Sequence, residues 1–145
     1  MFEKIILSRS ICYGDCPEFE VIVKKDGTAK WFGGMFVHRA GEVEFQLDNR
    51  KLQQLGELLQ SFDFRHFTYP AATIFATDLP YCTIKVSYQD GVEKEVEHYL
   101  GGDFAEEGSE DNQSFQELEQ FEKRIEKVIG LQKFIGASTY NEATE

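Results

Sequence analysis

Phe19-Glu20-Val21-Ile22-Val23-Lys24-Lys25-Asp26-Gly27-Thr28-Ala29-Lys30-Trp31-Phe32-Gly33 is the stretch that decides the fold. An Asp-Gly pair between two runs rich in β-branched and aromatic residues is a strong hairpin signal. Two registers compete. A two-residue loop sets Val23 opposite Lys30. A three-residue loop, Lys25-Asp26-Gly27 with Gly27 left-handed, sets Val23 opposite Ala29 and Val21 opposite Trp31. The second gathers Phe19, Val21, Val23, Ala29 and Trp31 on one face. A buried face fixes register, so the three-residue loop is predicted. The same logic repeats later, where Tyr81 to Tyr88 and Val92 to Leu100 flank Asp90-Gly91. A loop of Gln89-Asp90-Gly91 sets Ile84 against Val96 and Cys82 against His98. The alternative sets Ile84, Val86 and Tyr88 against Glu93, Glu95 and Glu97.

Working outward, Lys4 to Ser8 reads as a first strand. Glu42 to Leu47 reads as a fourth, with Val43, Phe45 and Leu47 inward. Asp48 has the character of a helix N-cap, and Leu52, Leu55, Leu58, Leu59 and Phe62 follow at helical spacing over 49–62. Residues 63–80 are irregular, and long connections inside compact domains are often functional. Residues 101–113 read as an acidic loop. Ser114 and Glu117 form a capping box, and Phe115, Leu118, Phe121, Ile125, Val128 and Ile129 stripe a helix over 115–129 that Gly130 closes. A short turn or helix then holds Leu131, Phe134 and Ile135. The prediction is an α+β fold, a mainly antiparallel sheet of about six strands with two amphipathic helices on one face. Residues 1–136 form one domain, and 137–145 a frayed polar tail.

The 145 residues suit one domain, and 13 phenylalanines promise a bulky core. Acidic residues number 26 and basic residues 15, giving a net charge of −11. Such a field repels nucleic acid and anionic membranes and suits a basic protein partner. The opening Met1-Phe2-Glu3-Lys4-Ile5 does not read as a secretion signal, because the apolar run Ile5-Ile6-Leu7 is too short. No stretch approaches the length of a membrane span. A cytoplasmic address is expected, as a monomer or weak homodimer.

Four groups of residues carry chemistry of interest. Cys12-Tyr13-Gly14-Asp15-Cys16-Pro17 brings two cysteines close enough for a disulfide if Gly14 turns the chain. A redox-active pair would want a helix N-terminus or a cation beside it, whereas a strand follows. Cys12, Cys16, Cys82 and His98 are of zinc-ligand type, but the C-x3-C spacing is a weak zinc signature, and no metal or cofactor is expected. Phe64, His66, Phe67, Tyr69, Phe75 and Asp78 fall in the irregular segment, as a core cap or a contact surface. A proton-transfer couple of His66 with Asp63 or Asp78 is chemically open. Glu93, Glu95 and Glu97, with Glu42 and Glu44, form acidic rows. These rows suit a solvated sheet face or, alternatively, mimicry of a phosphate backbone. No G-x-S-x-G turn or phosphate-binding glycine loop occurs.

The Cys12-x-Gly14-x-Cys16-Pro17 run, followed by the Phe19-led strand and the Asp26-Gly27 hairpin, resembles an uncharacterised bacterial domain family. Thr77-Asp78-x-Pro80 and Phe134-Ile135-Gly136 are similar to it more loosely. The resemblance covers about residues 5 to 136 and implies the same fold. It also implies export behind a lipoprotein or secretion signal, which this chain departs from, and a Trp where Phe134 stands. It supplies no catalytic residue. The expected function is a non-enzymatic binding or interaction module. The alternatives are a thiol- or metal-dependent enzyme using Cys12 and Cys16, and an acidic decoy for a nucleic-acid-binding protein.

Overall fold

The computed structural model describes residues 2–10, 16–69, 80–99 and 109–136, and the statements below concern these. The strands are β1 (Phe2–Arg9), β2 (Phe19–Lys24), β3 (Thr28–Gly33), β4 (Gly41–Gln46), β5 (Tyr81–Tyr88) and β6 (Glu93–Tyr99). They form a six-stranded sheet in the order β4-β3-β2-β1-β5-β6, antiparallel at every step. The helices are α1 (Asn49–Phe62), α2 (Glu110–Ile129) and the short α3 (Gln132–Ile135). A single 3-10 turn, Phe64–His66, follows α1.

Both hairpins take the three-residue loop. Val23 pairs with Ala29 and Val21 with Trp31. Ile84 pairs with Val96 and Cys82 with His98. Gly27 and Gly91 sit at φ of 90° and 88°, a region open to glycine and costly for other residues. Alternation then does the rest. Ile5, Leu7, Val21, Val23, Ala29, Trp31, Ile84 and Val86 point to one face and are buried there under Leu55 of α1 and Leu118 and Ile125 of α2. The opposite face carries Lys30, paired with Glu42 and Glu44, and Lys85, paired with Glu93. The acidic rows are thus partly neutralised by lysines across the strands.

α1 begins as expected, with the Asp48 side chain accepting from the Lys51 N–H. α2 does not. It starts at Glu110, capped by Ser109, which accepts from the Asn112 N–H at 3.1 Å. The expected start at 115 is corrected by more than a turn. Residues 110–113 contain no glycine or proline, so an earlier serine caps the helix equally well and more of the chain is wound. Among the described residues, no helix is long and apolar enough to cross a membrane.

Candidate functional site

Among the described residues, chemistry-bearing side chains stand out in two places, one closed and one open. The closed place lies between the sheet and α2. Register sets Arg9 beside Cys82 and Cys82 beside His98, on the helix-facing side of three neighbouring strands. Glu122 and Glu126, one helical turn apart, look down on this row from α2. Arg9 Nε donates to Glu126 Oε2 at 2.5 Å. His98 Nδ1 and Glu122 Oε2 lie 2.9 Å apart, both side chains almost wholly buried at 0% and 1% exposure. Among the described residues, Glu122 Oε1 has no hydrogen-bond partner. Phe115 stacks on the His98 ring, and Tyr69 meets that ring edge-on.

Burial sets the protonation here. It pushes the Cys82 thiol well above its ordinary range, against the attraction of Arg9, and the Glu122 and Glu126 carboxylates push the same way. A neutral, sealed thiol is a poor nucleophile. Burial also raises the Glu122 carboxyl, although His98 and Arg9 oppose it. For Arg9, burial alone would lower the guanidinium. The Cys82 sulfur when ionised and the Glu126 and Glu122 carboxylates reverse this, and Arg9 stays charged. The cluster is a desolvated polar network whose charges are matched, with one carboxylate oxygen left over.

The open place is a groove between α1 and the β5–β6 hairpin, with a cavity volume of about 490 Å³. Phe2, Leu59 and Tyr88 supply its apolar lining, and Gln53, Glu57, Asp63 and His66 its polar rim. Asp63 ends α1 in a left-handed conformation, φ 58° and ψ 50°, its N–H donating to the Gln60 and Leu59 carbonyls. That reversal drops Phe64 into the core and swings Arg65 and His66 toward the hairpin. His66 Nδ1 lies 2.7 Å from Asp63 Oδ1. Arg65 reaches Asp90 on the hairpin loop at 2.5 Å and covers the Tyr88 ring at 5.1 Å. Its hydrogen bond holds the Asp90 carboxyl below its ordinary range.

The predicted site residues divide accordingly. Phe64 is core. Phe67 and Tyr69 are partly buried and pack against the core, and Lys94 Nζ donates to the Phe67 carbonyl at 2.5 Å. His66 is exposed and lies on the groove rim beside Asp63. Phe75, Asp78 and Cys12 lie outside the described residues. Cys16 is disulfide-bonded, and Cys82 is a free thiol. Cys82 and His98 do face each other, but among the described residues no group of three or more His, Cys, Asp or Glu is arranged to hold a metal ion. Sequence reasoning missed Glu122 and Glu126. Their signal was their place on the buried stripe, since Leu118, Glu122, Ile125 and Ile129 follow at spacings of four, three and four. It also missed Met35 and Phe36, which are 55% and 47% exposed. Phe36 is left-handed at φ 58°, and Glu18 pins this turn through Met35 and Gly34.

Residues 3–129 match the family model described as Domain of unknown function (DUF6438). That match spans most of the chain, and the protein belongs to this family. No curated protein matches it.

Proposed function

We propose that this member of the DUF6438 family is a small binding module, one domain over residues 1–136, that works without catalysis and takes a ligand in the α1–hairpin groove. One observation carries the reading. The Cys82 thiol and the His98–Glu122 pair are buried under α2, while the solvent-open α1–hairpin groove pairs an apolar floor with a polar rim that sets the His66–Asp63 couple beside no serine, threonine or cysteine among its lining residues. Ligand sites have that composition and, at about 300–1,000 Å³, that size. A cleft containing a nucleophile, its base and an oxyanion site would have favoured an enzyme. The Cys12–Cys16 turn serves, in this reading, as a disulfide staple at the entry to β2, and the bond at Cys16 supports it.

The test is a titration of isotope-labelled protein with a panel of neutral, cationic and anionic fragments, followed by amide chemical shifts. Binding that maps to Gln53, Glu57, Asp63, His66 and Tyr88 is expected. A panel that leaves these amides unmoved removes the groove as the site.

A further inference from the structure

We infer that the groove takes a basic side chain, a lysine or arginine presented by a segment of a partner protein. This rests on the groove being the binding site and adds the class of its occupant. Charge is the first argument. Two carboxylates, Glu57 and Asp63, line the groove with one guanidinium, Arg65, whose partner is a third carboxylate, Asp90, on the hairpin loop. Arg65 is already committed to Asp90 and stacked on Tyr88. His66 is committed to Asp63. Among the described residues, Glu57 meets the neutral Gln53 amide, at 3.4 Å, with no cation paired to it. The rim is therefore short of positive charge, in a chain whose net charge is −11. A cation entering it is attracted both locally and from a distance.

Shape is the second argument. The floor is apolar where Phe2 and Leu59 line it, so a ligand needs a hydrocarbon stem beneath its charge. Lysine and arginine have that construction. Gly56 is the third. It lies in the middle of α1, half-buried, on the groove wall. Glycine inside a helix costs about 1 kcal/mol relative to alanine. At this position the missing side chain leaves the wall open. A good helix former such as leucine would remove that helix cost and occupy groove space.

The experiment compares N-acetyl-arginine methylamide and N-acetyl-lysine methylamide with the neutral citrulline and the acidic glutamate counterparts. Groove amide shifts are recorded for wild type, Gly56→Leu and Glu57→Gln. Spermidine serves as a free polyamine. The inference expects the two basic probes to bind at least about tenfold more tightly than citrulline. It expects Glu57→Gln to weaken them and raised salt to do the same. Gly56→Leu should abolish binding while raising the melting temperature, which a purely structural role for Gly56 would not do. Citrulline binding as well as arginine would overturn the charge argument and leave the groove standing as a site. Spermidine binding as tightly as the amino-acid probes would overturn a side chain as the occupant. Silence from every probe at these amides would overturn the groove itself.

Discussion

Glu122 is the residue at which burial and charge conflict most sharply. Its carboxyl is raised by burial from an ordinary value of 4.5, and one of its oxygens has no partner among the described residues. A carboxyl with a raised folded pKa binds its proton more readily in the folded than in the unfolded protein. Its contribution to stability is complete below 4.5 and is lost as pH rises through the folded value. Glu122→Gln keeps the hydrogen-bonding shape beside His98 and removes the ionisation. Relative to wild type, the variant should therefore gain stability steadily as pH is raised from 4 to 8. Urea denaturation of both proteins at each pH measures it. A variant that loses ground as pH rises would mean that Glu122 is more acidic than usual, held as an anion by a charged His98. The facing groups in that comparison are Arg9 from β1, Cys82 from β5, His98 from β6 and Glu126 from α2, with Tyr69 against the ring.

The two hairpins share a sequence logic but differ in what surrounds their glycines. A Cβ at Gly27 would sit 2.4 Å from the Leu47 carbonyl oxygen and 2.3 Å from the Gln46 amide nitrogen, whereas one at Gly91 would meet nothing within 4 Å. Both positions are left-handed. Gly91→Ala should cost about 1 kcal/mol from backbone strain alone. Gly27→Ala should cost about 1–3 kcal/mol more, because backbone must also shift. Equal costs, measured by chemical denaturation, would show that the β3–β4 end yields freely. These elements also mark what could be read beforehand. Register was legible because alternation with a buried face admits one solution, and it placed Cys82 opposite His98. The start of α2 was not, because Ser109 and Ser114 are both competent caps and nothing between them breaks a helix. Nor were Glu122 and Glu126, because glutamates in an amphipathic helix read as its wet face. The part-buried Arg9 and the buried His98 beneath them make that stripe habitable for charge. The groove was half legible. Residues 63–66 stood out as irregular, but Gly56 and Tyr88 reach the same place from distant parts of the chain.

Among the described residues, the protein is a sheet with helices over one face, with Cys82, His98 and Glu122 enclosed between them and an open groove lined from α1, the turn after it and β5. Closure of the cluster keeps Cys82 from serving as a reactive thiol, and labelling of Cys82 reports that closure directly. The decisive measurement is thiol labelling of the unreduced protein by a small aromatic disulfide, with and without denaturant, and peptide mapping of the labelled cysteine. Cys82 should stay unlabelled in the native protein and react only as fast as the molecule unfolds, with one thiol titrated per chain. Rapid labelling of Cys82 under native conditions would contradict the account, because the cluster beneath α2 would then be open to substrates.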